Sequence, residues 1–349
     1  MNITVESAPS NIALVKYMGK SDSKINRASN SSLSYTLDYL KSEVAVVQVN
    51  PLLMNKFSSL LQGGEDLWIP WSEFKKSINE VKNSNLISNQ ASYDILLSEN
   101  GKQKFMKHWY KCRSIFAPQY KGQFIISSIN HFPSDCGLAS SASSFAALTK
   151  AAYANFRDLD VLEKNINISE LAMVSREGSG SSCRSFFSPF VVWRDQEVFK
   201  LDTTFKNLHH IVVIVDDQKK EVSSSDAHQK VQSSLLYEDR TLRAEKRTNQ
   251  LIEALQSLNW KQIFDLTWAD FWDMHCLFET SNPPFYYMLP ESLEVLRWVQ
   301  DEWKKNNDGP IATMDAGANV HLLYRPNQMQ NALEHYRFLS QKYKLYSNV

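Results

Sequence analysis

The residues richest in chemical potential lie in a loop that runs into a helix. The stretch FPSDCGLASSASS, closing at Ser144, follows an apolar strand-like run and leads into a helical pattern. Gly137 permits a sharp turn, and the small side chains of Ala139, Ser140, Ser141, Ala142 and Ser143 let a ligand come close to the backbone. A helix start leaves N–H groups unpaired and carries a partial positive charge, so the chemistry expected there is phosphate binding. Serine also caps helices with no ligand at all, but one cap satisfies only one or two donors and this cluster is longer than that task requires. No GK[ST] ending follows, which excludes a Walker loop. Near the amino terminus, APSNIALVKYMGK gathers Asn11, Lys16, Tyr17 and Lys20 in one short span, and MDAGANVHLLY carries Asp315 near the other end. Lysines so spaced are often merely solvated, and an aspartate before Ala-Gly is often merely a turn residue. The alternative chemistry is a fixed cation and a carboxylate base.

The elements that must position these groups follow from periodicity. Residues 37–50, 124–129 and 190–193 read as strands, and residues 140–156 read as a helix with Phe145, Leu148, Ala152 and Phe156 on one apolar face. After Trp193 comes a turn-like polar stretch, RDQEVFKLDTTFKN, then the strand HHIVVIVDD and a long charged helical region over about 225–258. A later helix carries Leu293, Leu296, Val299 and Trp303 on one face, and residues 311–314 and 320–324 form a strand pair. The irregular order of strands and helices predicts an α+β protein with mixed sheets. A chain of 349 residues exceeds the comfortable size of one core, and the composition change near residue 195 divides it into lobes 1–195 and 196–349.

Composition excludes several classes. The chain is 43% hydrophobic and 22% charged, enough apolar material for a packed interior. Lysine plus arginine and aspartate plus glutamate both total 38, so no overall field draws nucleic acid or an anionic membrane. With no secretory signal pattern at the start and no apolar run of spanning length, a cytoplasmic location is expected. Cys112, Cys136, Cys183 and Cys276 lie far apart without metal-ligand spacing, and are expected to be reduced and mostly buried.

The serine loop resembles the PxxxGLxSSxS motif of the GHMP kinase superfamily, which holds the triphosphate of ATP; Pro133, Gly137, Leu138, Ser140, Ser141 and Ser143 match it in place. Further blocks in the same order narrow the resemblance. APSNIALVKYMGK is similar to the APxNIAxxKYWGK of mevalonate diphosphate decarboxylases, NRASNSSLSYTL to their PxNSSxSxTL, SREGSGSSCRSFF to RxGSGSACRSLF, KKEVSSSDAHQ to KKxVSSTxGMQ, and MDAGANVHLLY to FDAGPNAVLY. The resemblance implies a GHMP kinase-like two-lobed fold with the active-site cleft between the lobes. It also implies ATP-dependent decarboxylation of mevalonate 5-diphosphate to isopentenyl diphosphate, in isoprenoid biosynthesis by the mevalonate pathway.

By the same resemblance, Asp315 is the base at the reacting alcohol and Lys16 the charge beside it. Asn11, Tyr17, Lys20, Ser179, Ser181 and Arg184 line the substrate pocket, joined by Ser224 and Ser225. Pro133, Gly137, Leu138, Ala139, Ser140, Ser141 and Ser143 hold ATP, with Mg2+ at Ser141. Family analogy implies a homodimer. The pattern departs at Met18 for tryptophan, Ala318 for proline, His131 for asparagine, and Arg27 with Ala28 for an apolar residue and proline. Between Trp68 and Arg113 no residue is singled out as the family's phosphate-binding arginine. A phosphomevalonate decarboxylase, a kinase that leaves the carboxylate in place, and a non-catalytic binder therefore stay open.

Overall fold

The structure is a computed structural model describing residues 2–22, 25–82, 97–132, 140–205, 207–218 and 220–349. Pro133, Gly137, Leu138 and Ala139 of the serine loop lie outside the described residues, as does Cys136. Two compact units form: one from Met1–Ser10, Leu40–Ser134 and Ser140–Phe186, the other mainly from Asn11–Tyr39 and Phe187–Val349. The chain opens with β1 (Ile3–Val15), the short pair β2 (Lys20–Asp22) and β3 (Arg27–Ala28), and the long β4 (Ser32–Gln48). Strands β1 and β4 pair with each other, and each contributes residues to both units.

The first unit continues with α1 (Pro51–Lys56), β5 (Leu67–Trp68), α2 (Trp71–Lys82), α3 (Glu99–Phe116), β6 (Phe124–Asn130), α4 (Ser140–Asp158) and α5 (Ile168–Arg176). Strand β6 runs antiparallel to β4, from Ser42 opposite Asn130 to Gln48 opposite Phe124, and β5 adds parallel to β6. Every residue of β6 is buried, as expected of a strand covered on both faces. Helix α4 is buried on more than the expected stripe, because its alanines at 142, 146, 147, 151, 152 and 154 let neighbours approach closely. Asparagine Asn167 caps α5 reciprocally with Glu170, a capping box.

The second unit adds β7 (Phe190–Arg194), β8 (Glu197–Lys200), β9 (His209–Ile214), α6 (Ser224–Lys230), α7 (Arg240–Gln256), α8 (Trp260–Glu279), α9 (Pro290–Asn306), β10 (Ile311–Thr313), β11 (Val320–Tyr324), α10 (Met329–Leu339) and β12 (Lys344–Ser347). One antiparallel sheet has the order β10-β11-β9-β12. The mixed architecture is the expected α+β class.

Three local expectations need correction. The polar stretch after Trp193 contains strand β8: Asp195 adopts φ 49°, turning the chain so that β8 pairs with β7, and only Val198 of the strand is buried. The long charged helix over 225–258 is broken between α6 and α7. There the Ser234 hydroxyl accepts the Leu236 N–H and bonds Thr280, capturing a backbone donor that a continuous helix would use. In α9 Leu293 is exposed, and the inner face carries Ser292 instead, whose hydroxyl donates to the Ala318 carbonyl. Cys112 and Cys183 are buried as expected, with burial pushing both thiols up to about 12, whereas Cys276 is exposed. No helix among the described residues is long and apolar enough to cross a membrane.

Candidate active site

In the first unit the end of the serine loop becomes the first turn of α4. Ser141 is exposed there, and its Oγ lies 3.3 Å from the Ser179 Oγ, which arrives on the turn that follows α5. That turn continues as a tight 3-10 segment, Gly180–Phe186, which carries a half-buried Ser181 and an Arg184 that is only 4% exposed. Gly178 makes the approach of the two segments possible, since a Cβ there would stand 2.2 Å from Phe145 and 2.8 Å from the His108 ring. Ser140, half-buried, opens the helix. Ser143 faces the other way: fully buried, it bonds the Ser42 hydroxyl at 2.6 Å and donates to the Ser140 carbonyl. Its hydroxyl therefore serves the packing of α4 on β4, which corrects the expectation that it meets a phosphate.

The first unit also shows what Arg113 does. Its guanidinium holds Asp66 at 2.6 Å and donates to the carbonyls of Tyr120 and Gly122, so it staples α3 to the β6 approach and is not a free phosphate ligand.

In the second unit Lys16 and Asp315, 299 positions apart, meet. Lys16 Nζ donates to Asp315 Oδ1 at 2.6 Å and to the Ala13 carbonyl at 2.6 Å, and the lysine is 2% exposed. The Asp315 carboxylate is 28% exposed, leaving it reachable. Its loop is tied down from several sides: the Asp315 carbonyl accepts from His275 Nε2 at 3.2 Å and from the Gly317 N–H, while Lys220 Nζ donates to the Ala316 carbonyl. Asn319, at the end of the same loop, accepts the N–H groups of Val215 and Asp216. Burial, with Lys16 nearby, pushes His275 down to about 3, so its ring is neutral and carries its proton on the Nε2 that donates to the Asp315 carbonyl.

Around Lys16 the chain is equally constrained. Tyr17 stacks on His228 with centroids 4.5 Å apart and meets Trp193 edge-on. The Gly19 N–H donates to His228 Nδ1 at 3.1 Å, and burial pushes this histidine down to about 3, keeping that nitrogen an acceptor. Lys20 is half-buried and donates to Asn26 at 2.7 Å. Asn11 is buried on β1. Ser224 and Ser225 are exposed in the first turn of α6, which Ser223 caps by accepting the Asp226 N–H. Met18, where the family motif has tryptophan, packs in an apolar cluster with Ala227, Met274, Phe278 and Ala316, the residue that follows Asp315.

These geometries occur in a chain whose residues 8–204 match the model of the diphosphomevalonate decarboxylase-like N-terminal domain, and whose residues 210–347 match the mevalonate 5-diphosphate decarboxylase C-terminal domain. The chain belongs to the diphosphomevalonate decarboxylase family. It is 28% identical over 358 residues to the diphosphomevalonate decarboxylase of Saccharomyces cerevisiae, covering 98% of this chain and 81% of that one. It is 27% identical over 342 residues to that of Ganoderma lucidum, covering 92% and 78%. Among solved structures, a mevalonate diphosphate decarboxylase from Legionella pneumophila superimposes with TM-score 0.83 at 37% identity, over 99% of this chain and 100% of that one. A complex of MDDEF with MVAPP, AMPPCP and magnesium gives TM-score 0.77 at 27% identity, over 99% and 96%. The fold is thus that of the GHMP kinase-like decarboxylases.

Within this family fold the motifs contain Lys16 and Asp315, but not His275, Arg240 and Asp270, which brace them, and the KKEVSSSDAHQ block gives no role to Lys220, which bonds the Ala316 carbonyl, or to His228, which holds Tyr17 and Gly19. One signal was present: Asp270, Asp273 and His275 interrupt the otherwise aromatic and apolar helix WKQIFDLTWADFWDMHCLFE, and buried polar groups need partners.

Proposed function

We propose that this chain converts mevalonate 5-diphosphate to isopentenyl diphosphate, consuming ATP and releasing ADP, phosphate and carbon dioxide. The observation that carries the reading is the 2.6 Å contact of Lys16 Nζ with Asp315 Oδ1, buried on the lysine side and accessible on the carboxylate side. Asp315 accepts or orients the proton of the tertiary hydroxyl as the γ-phosphoryl group moves onto its oxygen. Lys16 sets a positive charge where that oxygen and the transferring group become more negative, and the charge is already in place before the reaction. A tertiary hydroxyl leaves poorly and a phosphate leaves well. When the C–O bond breaks, the carboxylate's C–C bonding pair becomes the new double bond and carbon dioxide departs.

Arg184 grips an anionic end of the substrate by its fork of donors, with Ser179, Ser181, Asn11, Tyr17, Lys20, Ser224 and Ser225 as further substrate contacts. Ser140 and Ser141, at the α4 start, face the ATP phosphates. Among the described residues no cluster of three or more His, Cys, Asp or Glu side chains suits a metal ion. Neutral serine hydroxyls suit magnesium only together with phosphate oxygens, which is how this ion is usually held in nucleotide sites, so Ser141 fits as its protein ligand. The ion would neutralise phosphate charge during transfer. The Ser141–Ser179 contact supports this arrangement, because it joins a nucleotide-side hydroxyl to a substrate-side one. The junction of the two family segments, between 204 and 210, supports a division close to the proposed lobes 1–195 and 196–349, although Asn11–Tyr39 and the residues from Phe187 cluster with the second unit. A cytoplasmic homodimer completes the proposal.

The test is incubation of the purified chain with ATP, magnesium and mevalonate 5-diphosphate, in parallel with the 5-monophosphate. Equimolar ADP and carbon dioxide, with isopentenyl diphosphate identified by mass spectrometry from the diphosphate alone, is the expected result. Phosphorylated substrate that retains its carboxylate would overturn it. Asp315→Asn is expected to abolish turnover while ATP binding, measured by calorimetry, persists.

A further inference from the structure

We propose that Arg240 and Asp270 are positioning residues for phosphoryl transfer, gripping the backbone of Lys16 so that its ammonium meets Asp315; this rests on the roles given above to those two residues. Lys16 follows directly on the last residue of β1, Val15, and side chains take up both of its peptide groups. Asp270 Oδ2 accepts the Lys16 N–H at 2.7 Å, and Arg240 Nη2 donates to the Lys16 carbonyl at 2.9 Å. The two grips are locked together, since Arg240 Nη1 bonds Asp270 Oδ1 at 2.7 Å and Nη2 bonds Oδ2 at 3.2 Å. Asn30 Nδ2 adds a second donor to the Lys16 carbonyl at 3.0 Å.

Arg240 and Asp270 are both 0% exposed. An ion pair so deeply buried adds little to stability, because desolvation of both charges offsets their attraction, and well-packed apolar residues often replace such a pair without loss. Apolar residues cannot, however, bond the N–H and the carbonyl of one peptide segment at once. The pair is also held from outside: Asp273 bonds Arg240 Nη1 at 3.0 Å and is itself held by Arg243 and Arg247. Helices α7 and α8 thus present a rigid charged frame to a single residue of the site.

A lysine is a long lever. Rotating its peptide swings Nζ away from both Ala13 and Asp315, and a misplacement of roughly 1 Å can cost on the order of a hundredfold in rate. Substrate contacts on other segments are untouched by such a swing, and only the adjoining Tyr17 shares it, so the loss falls mainly on kcat rather than KM.

Two variants test this. Asp270→Asn keeps shape and one acceptor but removes the charge that locks Arg240; Arg240→Met with Asp270→Leu replaces the pair by apolar groups. With thermal unfolding confirming a folded protein, each is expected to lower kcat about 10- to 100-fold with KM for mevalonate 5-diphosphate changed less than about threefold. Arg240→Lys is not expected to restore the rate, because an ammonium cannot span Asp270 and the Lys16 carbonyl together. Folded variants with undiminished kcat, a loss confined to KM, or failure of both variants to fold would each overturn the proposal, the last by making the pair a folding element. A crystal structure of Asp270→Asn decides the matter independently of turnover: Lys16 Nζ displaced from Asp315 supports the grip, and an unchanged contact refutes it. Absence of decarboxylation by the unaltered chain would remove the functional reading alone.

Discussion

Lys16 illustrates how much structure one side chain can require. Its ammonium donates to Ala13 O and Asp315 Oδ1 and meets almost no solvent. Lys16→Met removes the charge while filling the same space, so kcat is expected to fall by about 10²- to 10³-fold, the size typical of removing one preorganised electrostatic group. Single-turnover measurement of ADP release checks it, because the loss should lie in the chemical step. The two neighbouring serines of α4 make a sharper pair of predictions. Ser141→Ala is expected to raise KM for ATP and for magnesium with little change in thermal stability, since its hydroxyl is exposed and, among the described residues, bonds Ser179. Ser143→Ala should do the reverse, lowering stability by about 0.5–1.5 kcal/mol with near-normal kinetics, because the buried hydroxyl of Ser42 loses one hydrogen bond while keeping Asn130 and Ser144. Kinetics and melting measured side by side on both variants separate the roles.

At the scale of elements, the KYMGK turn after β1 is the part most dependent on a backbone conformation. Gly19 has φ +94°, a region L side chains seldom enter, and a Cβ there would lie 2.0 Å from the Tyr237 hydroxyl. Gly19→Ala is therefore expected to destabilise by at least about 1–2 kcal/mol and to raise KM for the phosphorylated substrate, as Tyr17 and Lys20 flank the turn; denaturant titration and steady-state kinetics read both. This turn was legible in the sequence, because its residues are contiguous and their order is specific. Its supports were not. His228 lies in α6, Tyr237 between α6 and α7, Arg240 in α7 and Asp270 in α8. A charged residue on a helix looks like any solvated residue until folding shows that it faces inward. The same reason explains β8, whose exposed polar residues hide a strand made by pairing with β7. It also explains the break before α7, where a serine's competing hydrogen bonds outweigh helical periodicity. Arg113 is the converse, an arginine in the right stretch for phosphate binding whose fork is already filled by Asp66 and two carbonyls.

For the molecule as a whole, the buried imidazoles set how stability responds to acid. Burial pushes His108 down to about 4 and His228 and His275 down to about 3, from an ordinary value of 6.5. An unfolded chain therefore takes up protons below 6.5 that the folded chain refuses. The stability these neutral rings confer is complete above 6.5 and is lost as pH falls toward 4 and then 3, each ring contributing a slope that approaches about 1.4 kcal/mol per pH unit in that window. Asp273 acts lower still. Burial alone would raise it, but the hydrogen bond from Arg243 and the charges of Arg240 and Arg247 hold it at about 2, so its share is complete above its ordinary 3.8 and is lost as pH falls from there through 2. Histidine protonation thus governs the first stage of acid unfolding. Urea titrations at pH 7, 5.5 and 4.5 should show a steadily falling midpoint. His228→Asn gives a signature that simple weakening cannot produce: the variant is less stable at pH 7, having lost its stacking on Tyr17, yet its stability falls less steeply with pH, because one proton-refusing ring is gone. A slope between pH 6.5 and 4.5 equal to that of the unaltered chain would mean that His228 does not titrate as its burial requires.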